Sequence, residues 1–155
     1  MRGLITTASA LVLSNLWVST ASAERAELRV TLTGIQEVPG PGDADGTGSV
    51  EIRVDSGEDQ LCWNLYARQI DTATAVHIYR GAAGIAGSPV ITLTTPGADG
   101  HSQGCLAIDE AMFRELAMRG HEYYVNIHTE AHPDGAIRGQ LRGGSTRRRR
   151  LIVDD

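Results

Sequence analysis

Apolar and polar residues alternate along most of the chain, so that within short runs every second residue is apolar. A period of two residues is typical of β-strands that bury one face. Eight such runs predict strands: 28–32, 50–54, 61–68, 76–79, 90–93, 105–108, 123–128 and 137–141. Turn-forming pairs such as Pro-Gly, Asp-Gly and Ser-Gly separate the runs. Many short strands at this spacing predict an all-β, antiparallel sandwich or barrel.

One segment, residues 109–119, follows the helical period instead. Asp109 is suited to cap the helix, because its carboxylate can accept a hydrogen bond from the first turn. Four apolar residues are spaced to form one helix face: Met112, Phe113, Leu116 and Ala117. Gly120 stands at the position where a left-handed residue commonly ends a helix. The segment predicts a short amphipathic helix that covers one edge or end of the sheets.

The two ends of the chain depart from the strand pattern. Residues 1–23 combine a positive start, an apolar run and an Ala-x-Ala sequence that ends at Ala23, which predicts a secretory signal peptide cleaved near Ala23. The alternative is a membrane anchor, although the apolar run is short for a membrane span. We therefore expect a periplasmic or secreted domain over residues 24–143, followed by a flexible, arginine-rich tail over residues 144–155.

Length and charge narrow the classes of function. The chain has 155 residues, the length of one ordinary domain, and a formal net charge of −5 at pH 7. The acidic balance argues against nucleic acid binding, and an aromatic content of 5% argues against a base-stacking surface. One segment departs from this acidic balance, a run of four arginines: Arg147, Arg148, Arg149 and Arg150. A solvated tail is the expectation for this run, and contact with an anionic membrane surface is the alternative.

Cys62 and Cys105 are the only cysteines. Two cysteines are too few for a four-cysteine zinc site. In an exported protein the oxidising environment favours a disulfide between them, and two buried thiols are the alternative.

Residues 100–104 match G-x-S-x-G, the turn that carries the nucleophile of many serine hydrolases, with Ser102 as the serine. That turn requires a strand before the serine and a helix directly after it, within a large parallel sheet. Here a strand pattern follows the serine, and the chain lacks alternating strands and helices. We therefore expect Ser102 to lie in a polar loop, and we predict no catalytic residue.

The histidines are the candidate site. His77 and His128 each lie on the polar side of a predicted strand, opposite Val and Ile residues, and His132 follows His128 by four residues. If the two strands are neighbours, the imidazoles converge on one face. We expect a mainly structural role, in which His77 and His128 form hydrogen bonds beside Tyr79 and Asn126. The alternative is a metal site with His77, His128 and His132 as the candidate ligands, because neutral imidazole is a good ligand for copper or zinc.

Three parts of the chain resemble the motifs of the CHRD domain, which was first described in chordin. Residues 32–39, Leu-Thr-Gly-Ile-Gln-Glu-Val-Pro, resemble its opening L-x-G-x-Q-E-V-P. Residues 75–84 are similar to A-x-H-I-H-x-G-x-A-G. Residues 124–129 and 132–141 resemble the closing Y-V-N-V-H-T and P-G-G-E-I-R-G-Q-L. The resemblance covers about residues 27–142.

The resemblance implies a single CHRD domain in an exported bacterial protein, with a Greek-key β-sandwich loosely like that of copper/zinc superoxide dismutase. The likeness to that enzyme implies no activity, because a fold does not determine a function. Tyr79 stands where the family has a second histidine, which removes one imidazole from any metal site. We therefore expect a non-catalytic binding or structural module of the cell envelope, and a histidine-based copper or zinc protein is the alternative.

Overall fold

The computed structural model describes residues 23–143 and 146–148, and these residues form mainly antiparallel strands. The strands are β1 Glu24–Thr33, β2 Thr47–Asp55, β3 Gln60–Arg68, β4 Ala73–Arg80, β5 Ser88–Leu93, β6 His101–Ala107, β7 Tyr123–Thr129, β8 Ile137–Gln140 and β9 Thr146–Arg148. One α-helix, α1, spans Glu110–Arg119, and short 3-10 helices span Gly34–Gln36 and Gly120–Glu122.

The strands form one sheet in the order β5-β4-β7-β8-β1-β2-β3-β6, with β9 paired to β1. The chain crosses from one half of this sheet to the other after β3, after β5 and after β6, as Greek-key connections do. The two outer strands approach each other where the Ser102 hydroxyl of β6 donates a 2.6 Å hydrogen bond to the carbonyl of Thr94, which follows β5. The sheet is thus nearly closed, and the predicted all-β Greek-key sandwich is confirmed.

The alternation of apolar residues sets which side chains form the core. Strands β1, β2 and β3 pair without a break, from Arg25 opposite Asp55 to Thr33 opposite Thr47 and from Thr47 opposite Arg68 to Asp55 opposite Gln60. Their inward residues are fully or almost fully buried, and so are those of the other half of the sheet: among them Leu28, Leu32, Ile52, Leu61, Leu65, Val76, Ile78, Val125 and Ile127. Burial of each such side chain contributes about 1.5–3 kcal/mol to stability.

Helix α1 packs against β1 and β2 and begins where the sequence predicts. The Asp109 carboxylate accepts a 2.8 Å hydrogen bond from the backbone N–H of Met112, which is the expected N-cap. The predicted apolar stripe is confirmed, since Phe113, Leu116 and Ala117 are buried.

The expected end of the helix is wrong in one respect. Gly120 has a right-handed conformation, with φ −49° and ψ −31°, and the chain continues from it into a 3-10 turn. Gly120 is buried there because the helix end lies close to the sheet: a Cβ at this position would come within 3.0 Å of the Leu28 side chain. Close packing against the sheet, and not a left-handed backbone conformation, therefore favours a glycine at this position.

Cys62 of β3 lies directly opposite Cys105 of β6, and a disulfide joins them. The predicted pairing is confirmed. The bond lies on the outer face of the sheet, where Cys105 is exposed. It fixes β6, an outer strand of the sheet, to the three-stranded meander that begins with β1.

The chain ends were predicted to lie outside the domain. Apart from Ala23, the expected signal peptide lies outside the described residues, and so do residues 144–145 and 149–155 of the expected tail. Thr146–Arg148 instead forms β9, which pairs with residues 24–26 of β1, so Arg147 and Arg148 belong to a strand. No helix in the described part of the chain is both long and apolar enough to cross a bilayer.

Replacement of both cysteines, Cys62→Ala with Cys105→Ala, should lower the free energy of unfolding. The bond closes a loop across a sequence separation of 43 residues. The loss of chain entropy in the unfolded state then gives a destabilisation of about 4 kcal/mol at most. Urea unfolding of the oxidised protein, the reduced protein and the double variant measures it. The reduced protein should match the variant, and equal stability of all three would contradict the expectation.

Candidate functional site

Three adjacent strands, β4, β7 and β8, bring the motif residues together on the outer face of one half of the sheet. Because successive residues of a strand face opposite sides, the outward residues form rows across the strands. In register, these rows are His77, Asn126 and Arg138, then Tyr79, Tyr124 and Gln140, while His128 lies opposite Ala75. Two loops cover this face, one after β1 and one after β4.

His77, Tyr79 and His128 form a half-buried group, which we call the His-Tyr cluster. The Tyr79 hydroxyl lies 2.9 Å from Nε2 of His128 and 3.5 Å from Nδ1 of His77. The centroids of the two imidazole rings are 5.7 Å apart. The predicted convergence of His77 and His128 on one face is confirmed.

The hydrogen bonds of His128 determine where its proton lies. Its Nδ1 is 2.9 Å from the backbone carbonyl oxygen of Pro133. A carbonyl only accepts, so Nδ1 carries the hydrogen, and in the neutral ring Nε2 is the bare nitrogen. Nε2 therefore accepts the hydrogen of the Tyr79 hydroxyl. Burial, followed by repulsion from His128, lowers the pKa of His77 and so favours its neutral form.

His132, the third candidate ligand, lies in the loop between β7 and β8. Its backbone N–H donates to the Thr129 hydroxyl at 3.1 Å, and its carbonyl accepts from the N–H of Gly135. Within residues 23–143 and 146–148, no three His, Cys, Asp or Glu side chains are grouped as metal ligands would be. The structure thus brings two of the three candidate imidazoles together and leaves His132 apart.

Beside the cluster, on the same outer face, lies a set of buried side chains, Glu37, Tyr124, Asn126 and Arg138, which we call the buried polar layer. Arg138 is 2% exposed, and its Nη2 donates to the carbonyl oxygens of Ala82 and Ile85 at 3.1 and 3.0 Å. Its guanidinium carbon lies 3.4 Å from the centroid of the Tyr124 ring. Tyr124 in turn stacks on Tyr79, with 5.0 Å between centroids and an angle of 3°. The layer therefore fixes the position of the Tyr79 ring.

Glu37 enters the layer from the loop after β1. Its Oε2 accepts a 3.0 Å hydrogen bond from Nδ2 of Asn126. Gly135 makes this approach possible, since it has φ +140° and a Cβ there would lie 2.4 Å from Oε2 of Glu37. Burial raises the pKa of Glu37 to about 7, although the Asn126 hydrogen bond and the charge of Arg138 act to lower it.

Ser102 does not lie in a polar loop, as the sequence suggested, but inside β6. It is 5% exposed, accepts a 3.1 Å hydrogen bond from the Trp63 indole and donates to the Thr94 carbonyl. Its hydroxyl is used to join β6 to the end of β5. Neither of its partners is a histidine, so the hydrolase interpretation has no geometric support.

Glu37→Gln should change how stability depends on pH. The folded protein holds a proton on Glu37 up to about pH 7, whereas the unfolded chain releases it near pH 4.5. The free energy of unfolding should therefore fall as the pH rises through this interval, by roughly 3 kcal/mol at most. The amide of the variant keeps an acceptor for Asn126 but does not titrate, so this contribution should disappear.

Urea unfolding at about pH 5 and about pH 8 measures the effect of Glu37→Gln. Glu130→Gln, at an exposed position in the loop after β7, is the matched control and should behave as the wild type does. An unchanged pH dependence in Glu37→Gln would show that another group is responsible.

Comparison with known proteins agrees with the motifs that meet at this site. A family model described as the CHRD domain matches residues 28–141. No match was found among curated proteins or solved structures. The matched segment contains all residues of the His-Tyr cluster and of the buried polar layer. The chain therefore belongs to the CHRD domain family.

Proposed function

We propose that the protein is an exported, non-catalytic binding module of the bacterial cell envelope, and that its ligand is a polysaccharide. The observation that carries this proposal is an exposed, hydrogen-bonding face with an accessible aromatic ring, formed by the outward residues of β1, β2, β3 and β6. This face lies mainly on the other half of the sheet from the His-Tyr cluster, and its groove extends to Gln140 of β8.

Tyr66 provides the aromatic ring and is 45% exposed. It stacks on His101, with 4.5 Å between centroids and an angle of 20°. Nε2 of His101 lies 2.8 Å from Oδ1 of Asn64, and this contact holds the stacked rings of Tyr66 and His101 in place. Beside Tyr66 a groove of about 570 Å³ runs across the strands, and Gln36 and Ser49 are among its lining residues.

Such a groove suits sugar rings. One face of a pyranose carries C–H groups that pack on an aromatic ring, and its hydroxyls need donors and acceptors such as amides and hydroxyl groups. Two of the arginines beside the groove are paired on the protein itself, since Arg29 contacts Glu51 at 3.2 Å and Arg53 contacts the same carboxylate at 2.5 Å. Arg142, which also lines the groove, has no ion pair within the described residues, so the charges there do not select an uncharged polymer.

Two further observations support export and a non-catalytic role. The first 23 residues have the pattern of a signal peptide, and a disulfide joins Cys62 to Cys105, which is typical of proteins from oxidising compartments. Ser102, the candidate nucleophile, is buried and fully engaged in hydrogen bonds. These features fit a module that binds and does not transform its ligand.

Protein recovered from the periplasm of a bacterial host should have the mass of a chain that begins at Glu24. It should sediment with peptidoglycan sacculi, and Tyr66→Ala should weaken that binding about three- to tenfold, because the ring-stacking energy is lost. Met118→Ala, at a residue of α1 that is 77% exposed, is the control and should bind as the wild type does.

Two results would contradict the proposal. Failure to sediment with sacculi would exclude these glycans as the ligand, and equal binding by Tyr66→Ala would exclude the proposed face. Sedimentation with phosphatidylglycerol vesicles instead of sacculi would show that the partner is a membrane surface.

A second candidate function is metal binding at His77 and His128, and one observation favours it. Histidine ligands in proteins usually donate their second ring N–H to a carbonyl or carboxylate, which orients the ring. The Nδ1 contact of His128 with the Pro133 carbonyl has this form. It directs Nε2 toward the Tyr79 hydroxyl, and the His77 ring lies 5.7 Å from the His128 ring between centroids.

Calorimetric titration with zinc tests the second candidate. The wild type should bind one equivalent, and His128→Ala should abolish binding. His121→Ala, at an exposed residue of the 3-10 turn after α1, is the matched control and should bind normally. Zinc binding that persists in His128→Ala would place the metal elsewhere.

A further inference from the structure

We propose that the phenol oxygen of Tyr79 is the third protein ligand of a copper(II) site, together with Nδ1 of His77 and Nε2 of His128. This inference rests on the second candidate function, because it names the metal and the ligand set of the same site. In this ligand set Tyr79 takes the place of His132, which lies apart from the other two imidazoles. The sequence had marked Tyr79 only as the position where the family motif has its second histidine.

The spacing of the three donor atoms carries the inference. Copper and zinc bonds to nitrogen and oxygen are about 2.0–2.2 Å long, which puts neighbouring ligand atoms about 2.8–3.5 Å apart. The Tyr79 oxygen lies 2.9 Å from Nε2 of His128 and 3.5 Å from Nδ1 of His77. The distances from the phenol oxygen to the two nitrogens therefore match those between neighbouring ligand atoms of one metal ion.

Two of the three donors, those of Tyr79 and His128, are held in place by contacts outside the cluster. The Pro133 carbonyl orients His128. The Tyr79 ring stacks on Tyr124, which lies against the buried guanidinium of Arg138. His77 and Tyr79 project from the same face of β4, beside β7. Ligands fixed on strands in this way lose little conformational freedom when a metal binds.

The chemistry of the donors selects the metal. Two imidazoles and one phenol oxygen suit copper(II), which also binds nitrogen and oxygen ligands more tightly than the other divalent first-row metals do. On binding, the O–H bond of Tyr79 breaks, its proton leaves to solvent and the phenolate oxygen donates to the metal. His77 binds through Nδ1 with its hydrogen on Nε2, and His128 already has its hydrogen on Nδ1. One proton is released per copper ion, and no electron is transferred.

This geometry gives a chemical interpretation of the one position where the chain departs from the histidines of the family motif. Tyr79 stands where the family motif has its second histidine. The substitution exchanges an imidazole for a phenol at a position that faces two other ligands. The proposed site is thus changed in character and not lost.

Titration of tag-free protein with copper(II), followed by visible absorption, is the direct test. The wild type should bind one equivalent and develop a phenolate-to-copper charge-transfer band. Tyr79→Phe keeps the ring that stacks on Tyr124, and it should lose the band and more than about tenfold in affinity. Tyr79→His restores the family residue and should bind copper without the band.

The controls distinguish the role of Tyr79 as a ligand from metal binding at the two histidines in general. Tyr66→Phe, on the other half of the sheet, and His132→Ala should both keep the band and the affinity. Copper binding by the wild type without the band would overturn the role of Tyr79 and leave a site of His77 and His128. Loss of copper binding in His132→Ala, together with unchanged binding in Tyr79→Phe, would restore the ligand set considered from the sequence. If the wild type does not bind copper(II), both the role of Tyr79 and metal binding at His77 and His128 are wrong.

Discussion

The burial of one guanidinium organises the half of the domain that carries the His-Tyr cluster. Arg138 is almost fully buried, and an isolated buried cation is costly unless polar groups compensate for its lost hydration. The carbonyls of Ala82 and Ile85 provide that compensation, so the loop after β4 is drawn onto the sheet. The ring of Tyr124 provides more, because its electron-rich face lies against the charge. The positions of this loop and of the Tyr124 ring therefore follow from the burial of Arg138.

The strands were predictable from the sequence because their cause is local. Alternating apolar residues bury one face wherever they occur, and β1, β2, β3 and β4 follow that rule, whereas β7 is buried on both faces. The same alternation placed His77 and His128 opposite the core. The left-handed conformation expected for Gly120 was wrong for a different reason. This residue packs closely against Leu28, which lies far earlier in the chain, in β1. No local pattern distinguishes a glycine kept for packing from one kept for its backbone conformation.

The contacts that position the side chains of the site could not be predicted from local sequence patterns either. The partner that orients His128 is the backbone carbonyl of Pro133, which any residue type provides and which the sequence therefore cannot reveal. Glu37 reaches Asn126 across 89 positions, through a loop whose path depends on the small size of Gly135. The signal that did exist lay in the motifs. Each of them contributes side chains to the same face of β4, β7 and β8, so the three motifs together mark one surface of the domain.

The pairing of β1 with β8 has a consequence for how the chain reaches its folded state. Thr33 pairs with Arg138, so the middle of the sheet joins an early strand to one of the last. Contacts between residues so far apart in sequence form slowly, because a large loop must close first. If the chain is exported as proposed and enters a narrow translocation channel from its N-terminus, it cannot complete this sheet until β8 has emerged. The strand order would then keep the domain open during transport and let it close only on the far side of the membrane.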